Sequence, residues 1–108
     1  MTTPREQFPK LVECIKGFRA TYLAAAGVKL GLFGKIAAAP GITSEQLAKD
    51  LRLHAPYVLT WCRTAHALGF LEADEGGRLR VAPGFEPILA EPASPWYYGG
   101  ALGLTVDY

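Results

Sequence analysis

Cysteine is scarce in this chain, which has only Cys14 and Cys62 among its 108 residues. Two cysteines so far apart exclude the dense, patterned disulfide framework that stabilises small secreted domains. The chain also lacks the positively charged segment and short apolar run that open a signal peptide. We therefore expect a reduced protein in the cytoplasm.

An excess of charge of one sign is also missing, because 11 Lys and Arg residues face 10 Asp and Glu residues. The resulting net charge of +1 provides no field that would attract nucleic acid or anionic lipid. Long apolar runs are absent too. Basic residues between Lys10 and Lys35 divide the N-terminal third into apolar runs that are much shorter than the roughly 18 residues of a membrane span. We expect neither nucleic acid nor a membrane as a partner.

Apolar residues, in contrast, are plentiful. They make up 50% of the chain, and the mean hydropathy is +0.14. A chain of this length forms one domain with a modest core. The surplus of apolar side chains predicts a surface that a protein partner covers.

The first helical signal is a Thr-x-x-Glu capping box at residues 3–6, with proline in the first helical position. Because Pro9 also suits a first helical position, the helix could equally start at Phe8 or Pro9. Gly17 is a weak point in the pattern, so we predict two helical pieces that meet near it. One apolar stripe follows at helical spacing, formed by Phe8, Leu11, Val12, Ile15, Phe18, Tyr22, Leu23 and Ala26.

Small residues then dominate positions 20–27, which favours the close approach of another helix, and bulky apolar residues follow up to Ile36. Pro40 and Gly41 end this segment. A Thr-x-x-Gln capping box at residues 43–46 begins a helix that runs to about Leu51. Apolar residues at spacings of three and four predict a further helix over residues 55–68, with Gly69 as its left-handed cap.

The C-terminal third predicts a hairpin. Residues 70–73 and 78–82 flank an Asp-Glu-Gly-Gly turn, whose glycines allow the positive φ that such turns need. Residues 83–90 suggest one more short helix, and residues 91–95 form a loop. This order of elements predicts a mainly α fold, a winged helix-turn-helix with a two-stranded β-hairpin wing.

Four stretches of the sequence resemble the N-terminal domain of plant-type and bacterial S-adenosylmethionine-dependent O-methyltransferases. They are residues 22–33 (YLAAAGVKLGLF), 42–51 (ITSEQLAKDL), 67–71 (ALGFL) and 78–83 (RLRVAP). The similarity extends over about residues 15–100. It implies the dimerising, substrate-pocket-closing domain of a small-molecule O-methyltransferase, which is not catalytic alone.

The resemblance also implies a division of the chain. Residues 1–95 correspond to the winged-helix dimerisation domain, and residues 96–108 to a linker or the start of a missing catalytic domain. The family binds S-adenosylmethionine in that catalytic domain, so the cofactor is implied for a full-length parent and no cofactor is expected in this chain. No residue here inherits a catalytic or cofactor-binding role.

Two groups of residues are candidate contact sites. The first is a homodimer interface, because large apolar groups beside small ones suit a two-fold contact; it comprises Phe18, Tyr22, Leu23, Leu30, Leu32 and Phe33. The second is the aromatic cluster of Trp96, Tyr97 and Tyr98. This cluster either faces a substrate or packs the domain against its missing neighbour, and packing is the interpretation that we favour.

Other groups of residues do not form a metal, nucleotide or catalytic site. Cys62 and His66 share a helical face, but no second pair completes a zinc site, so we expect a core thiol beside a surface histidine and no metal. The glycines at 27, 31 and 34 and those at 99–103 lack the preceding strand of a nucleotide-binding loop. We predict no catalytic residue.

Two alternatives remain open. The first is a winged-helix transcriptional regulator, although the helix that would read DNA offers Arg63 as its one certain cation, and the turn of the wing carries Asp74 and Glu75. The second is a free-standing protein-interaction domain. A glycine-rich strand-to-helix turn encoded downstream of Tyr108 would decide for the methyltransferase.

Overall fold

The computed structural model describes residues 2–105, so the end of the predicted tail, at residues 106–108, lies outside the described residues. The helices and strands, in chain order, are α1 (Pro4–Lys29), α2 (Leu32–Ala38), α3 (Ser44–Leu51), α4 (Ala55–Ala67), β1 (Leu71–Ala73), β2 (Leu79–Val81), α5 (Glu86–Leu89) and α6 (Gly99–Thr105). The fold is thus mainly helical, with one two-stranded antiparallel sheet. Within the described residues, no helix combines the length and the apolar character that crossing a bilayer requires.

The first helix begins at the earlier of the two predicted starts. The Thr3 side chain accepts a hydrogen bond from the backbone N–H of Glu6, which confirms the capping box, and Pro9 lies inside the helix. The predicted break near Gly17 is wrong. A glycine lowers helix stability by only about 1 kcal/mol, and the 26-residue hydrogen-bond ladder outweighs this.

The break lies instead at Gly31, which the sequence pattern did not reveal. This residue adopts φ +79°, in the left-handed region that favours glycine, and it separates α1 from α2. The chain therefore turns before Leu32, and the bulky residues of α2 point into the core. Both Leu32 and Phe33 are fully buried there.

The middle elements follow their predicted signals. The Thr43 side chain caps α3 by accepting from the Gln46 N–H, and Gly69 follows α4 with φ +86°. The Gln46 side chain does not close the box; it donates to Asp50 at 2.6 Å instead. Asp50 also pairs with Lys35 at 3.4 Å, which joins α3 to α2.

The predicted hairpin is confirmed, and it is tied to the helices. β1 pairs with β2 in the register Leu71 with Val81 and Ala73 with Leu79. Leu79 donates its N–H to the carbonyl of Ile42 at 2.8 Å, in the loop between α2 and α3. Leu71, Leu79 and Val81 are buried, so one face of the hairpin closes the core.

Aromatic rings connect the core from end to end. Phe33 meets Trp61 edge-on with ring centroids 5.1 Å apart, and Phe70 meets Phe33 at 6.2 Å and Phe85 at 5.3 Å. The indole N–H of Trp61 donates to the carbonyl of Leu23 at 3.0 Å. These contacts attach α4, the hairpin and the segment before α5 to the C-terminal end of α1.

The described part of the tail packs against the domain. The backbone N–H of Tyr98 donates to the carbonyl of Ile88 at 2.9 Å, and Leu102 of α6 lies against the core. Helix α6 contacts α1. The backbone of Tyr98 and the side chain of Leu102 therefore tie this segment to the domain, while Trp96 stays exposed.

Gly27 and Gly17 provide a matched pair of substitutions. A Cβ at Gly27 would lie 2.6 Å from the Phe33 ring, whereas a Cβ at Gly17 would meet open space. We expect Gly27→Ala to lower the free energy of unfolding by about 1–3 kcal/mol through overpacking, and Gly17→Ala to raise it by about 0.5–1 kcal/mol. Urea unfolding followed by circular dichroism measures both. Equal stability of the two variants would contradict the tight packing at Gly27.

Candidate functional site

A row of exposed apolar side chains runs along α1. Its members are Phe8, Leu11, Ile15, Phe18 and Tyr22, which we call the α1 seam. Phe8 is 65% exposed, Leu11 57% and Phe18 63%. Their spacing alternates between three and four residues, the pattern of a helix that packs on another helix. A contiguous apolar row of this length on a small protein marks an interaction surface.

The seam is exposed because the domain covers only one end of α1. The buried residues of this helix are Ala24, Ala25, Ala26 and Gly27, near its C-terminus. Among residues 4–19, which we call the arm, only Val12 is partly buried. The protein measures 54 × 32 × 26 Å, and a helix of 26 residues is about 39 Å long. The arm thus leaves the packed domain with its apolar side uncovered.

The seam leads into an apolar groove between α1 and α4. The groove has a volume of about 470 Å³. Its α1 wall is formed by Phe18, Arg19, Tyr22, Leu23 and Ala26, and its α4 wall by Tyr57, Thr60, Trp61 and Thr64. The α4 wall was not predicted as part of any site. Its signal in the sequence is the exposed set Tyr57, Thr60 and Thr64, which lies beside the buried stripe of α4.

The structure divides the predicted interface residues into two groups. Phe18, Tyr22 and Leu30 are exposed, and Leu23 is partly buried. Leu32 and Phe33 are fully buried in the core, and their prediction as interface residues is wrong. The reason is the turn at Gly31, which directs α2 into the domain.

The aromatic cluster near the C-terminus does not converge on one cavity. Trp96 is 73% exposed, Tyr98 is exposed as well, and Tyr97 is partly buried. Tyr98 contributes to a small apolar cavity of about 210 Å³ between α1 and α6, beside Phe70 and Ile88. A substrate-facing role for these three residues stays a prediction.

The thiol of Cys62 is buried, while His66 on the same helical face is exposed. Burial raises the pKa of Cys62 to about 11, so this thiol stays protonated near neutral pH. Because the pKa rises on folding, the thiol ionises more easily in the unfolded chain than in the folded one. The free energy of unfolding should therefore fall as the pH rises from about 9 through about 11. In the part of the chain that the structure describes, no three His, Cys, Asp or Glu side chains are grouped as metal ligands.

The surface that a DNA-reading domain would use offers few cations. The exposed residues of α4 include one arginine, Arg63. In the hairpin, Arg80 pairs with Glu72 at 3.7 Å. The backbone N–H of Arg78 donates to Asp74 and lowers the pKa of that carboxyl, which keeps a negative charge at the turn. This charge pattern opposes contact with phosphates.

Comparison with solved structures shows the same fold in methyltransferases. A riboflavin-derivative dimethyltransferase from Streptomyces davawensis matches with a TM-score of 0.80 at 17% identity, over 98% of this chain and 30% of its own. An O-methyltransferase family 2 protein from Planctomyces limnophilus, in complex with apigenin, matches with a TM-score of 0.75 at 24% identity, over 97% and 31%. Human N-acetylserotonin methyltransferase, in complex with S-adenosylmethionine, matches with a TM-score of 0.75 at 23% identity, over 94% and 31%.

This chain therefore spans about a third of the length of the solved structures that it matches. No protein-family model and no curated protein sequence matches it. At these identities the similarity establishes the fold.

The two cysteines should differ in reactivity toward an aromatic disulfide reagent. At pH 8 about one Cys62 side chain in a thousand is ionised, whereas Cys14 is exposed. We expect one thiol per chain to react rapidly in the native protein and the second only after unfolding. In Cys14→Ser the rapid phase should disappear. Two rapid thiols in the native wild-type protein would contradict the burial of Cys62.

Proposed function

We propose that this chain is the N-terminal winged-helix domain of an S-adenosylmethionine-dependent O-methyltransferase, which pairs two copies of the enzyme and helps to close the substrate pocket. The structural similarity to methyltransferases supports this proposal, because about two thirds of each of those structures lies outside the part that this chain matches. In such an enzyme the additional part would carry the chemistry. The domain would supply the contacts between subunits.

The arrangement of elements supports the winged-helix assignment. Helices α2, α3 and α4 share one core, and the hairpin follows α4 directly. The bridge between Ile42 and Leu79 attaches the hairpin to the segment before α3. This order, with a hairpin as the wing, is that of the winged helix-turn-helix.

The α1 seam is the observation that carries the dimerisation role. Its five side chains expose roughly 500 Å² of apolar surface, if a fully exposed aromatic or leucine side chain has about 150–250 Å². A stable interface buries about 800 Å² on each partner. The seam alone thus supplies more than half of the area that one partner of such an interface buries, and the adjoining groove extends this surface.

The described residues of this chain do not fit the cofactor. A nucleotide-binding loop joins a strand to a helix N-terminus through glycines. In the described residues, Gly27 is packed inside α1, Gly31 joins two helices, and Gly99 begins α6 after a loop. The methyl donor would bind to the part of the enzyme outside this chain.

The dimer proposal is tested by two substitutions at neighbouring positions of the arm. Leu11→Glu places a charge in the α1 seam, and Lys10→Glu places the same residue on another side of the helix. We expect the wild-type chain and Lys10→Glu to sediment as dimers at micromolar concentration. Leu11→Glu should lower the dimer affinity at least tenfold, or by about 1.4 kcal/mol or more. A monomeric wild-type chain would refute the dimer.

The cofactor proposal has a separate test. Calorimetric titration of this chain with S-adenosylmethionine should give no heat of binding, because no loop of the nucleotide-binding type is present in the described residues. The same titration of a longer chain that continues past Tyr108 should give binding. A micromolar dissociation constant for the present chain would contradict the assignment of the cofactor to the missing part.

A further inference from the structure

A cavity of about 230 Å³, which we call the α4 cavity, is bounded by α4, the start of α3 and the hairpin. Residues 59, 62, 63 and 66 line it from α4. They share one face of the helix, because residues three and four positions apart are neighbours on a helix surface. The residues of α4 that line the groove, 57, 60, 61 and 64, lie on the opposite face. The α4 cavity is therefore separate from the surface that the proposed dimer uses.

Three polar side chains line the α4 cavity. Ser44 is the first residue of α3, and Arg63 and His66 belong to α4. Within the part of the chain that the structure describes, none of these three side chains forms a hydrogen bond or an ion pair with another residue. The guanidinium of Arg63 is planar and always charged, which suits a carboxylate, and the histidine and the serine each have a hydrogen to donate. The cavity therefore offers several donors and one permanent positive charge to a ligand.

The remaining lining of the α4 cavity is mainly apolar. Cys62 and Leu79 are buried, whereas Leu59 beside them is 38% exposed. The thiol of Cys62 stays protonated near neutral pH because its pKa is raised, so it acts as a small apolar group and adds no negative charge. A ligand with an apolar body would remove part of the Leu59 side chain from water, which is favourable.

The acidic residues around the hairpin line a different cavity. Glu72 and Asp74 line that cavity together with two arginines of the hairpin, and Asp74 accepts a hydrogen bond from the backbone N–H of Arg78. Glu45 follows Ser44 on α3 but is exposed. Among the described residues, no Asp or Glu lines the α4 cavity. The charge of Arg63 is thus not neutralised within the cavity, and a ligand with one negative charge complements it.

We propose that the α4 cavity binds a small monocarboxylate with an apolar body, of about the size of benzoate. The carboxylate accepts hydrogen bonds from Arg63, His66 and Ser44, and the apolar body lies against Leu59 and Leu79. A neutral ring would leave the donors unused, and inorganic phosphate would leave the apolar lining uncovered. The proposal concerns a different face of α4 from the proposed dimer and does not depend on it.

Titration with sodium benzoate at constant pH and ionic strength, followed by NMR of the histidine rings, tests this site. The chain has two histidines. His66 lines the α4 cavity, whereas His54 precedes α4 outside it and serves as the internal control. The His54→Gln variant assigns the two sets of signals. We expect a saturable shift of the His66 signals with a dissociation constant of about 1 mM or lower, and little change at His54.

Two further probes separate the contributions of charge and apolar contact. Benzyl alcohol keeps the ring without the charge, and inorganic phosphate keeps the charge without the ring. Each should bind about tenfold more weakly than benzoate or worse, because a charge-assisted hydrogen bond or the apolar contact is lost. Either probe binding as tightly as benzoate would overturn the proposed ligand class.

A matched pair of arginine substitutions completes the test. Arg63→Gln should weaken benzoate binding about tenfold, because it removes the charged partner of the carboxylate. Arg52→Gln makes the same change at an exposed residue outside the α4 cavity and should leave the affinity unchanged. Equal affinities of the wild-type chain and Arg63→Gln, or shifts of equal size at both histidines, would overturn the site. Unchanged circular dichroism verifies the fold of both variants.

Discussion

The close approach of the C-terminal end of α1 to the rings of Phe33 and Trp61 is the contact on which the rest of the fold depends. Residues 24–27 are small, and the indole of Trp61 donates to the carbonyl of Leu23 at 3.0 Å. Dispersion, aromatic geometry and one hydrogen bond between distant parts of the chain therefore act at the same place. The row of rings that begins there continues through Phe70 to Phe85 and fixes the hairpin and α5.

The same contact explains why one face of α1 is apolar and uncovered. Because the domain covers only the last turns of α1, the arm extends beyond the core with Phe8, Leu11 and Ile15 exposed. The described residues leave the energy of burying these side chains unused. A helix that is attached firmly at one end and apolar along its free length is suited to joining subunits.

Local signals predicted most elements correctly because their physics is local. Thr3 and Thr43 each cap the helix that follows within three residues, and the Asp-Glu-Gly-Gly turn fixes the hairpin. The position of the helix break was predicted wrongly, because the conformational effects of the two glycines concerned are of similar size. A glycine inside a helix costs little at Gly17, yet at Gly31 the left-handed conformation ends α1, and residue type alone does not separate the two cases.

The sequence predicted that the candidate site is an apolar surface, but it did not predict all of the residues that form it. By itself the sequence determined that apolar residues exceed what a small core holds, that they follow helical spacing along α1, and that no charged or metal-binding cluster accompanies them. Only the tertiary structure decided that Phe33 lies in the core and Phe18 on the surface, and that α4 forms the second wall of the groove. The hydrophobic effect is non-directional, so identical side chains gain the same energy wherever they are buried, and the packing of distant segments selects which of them are covered.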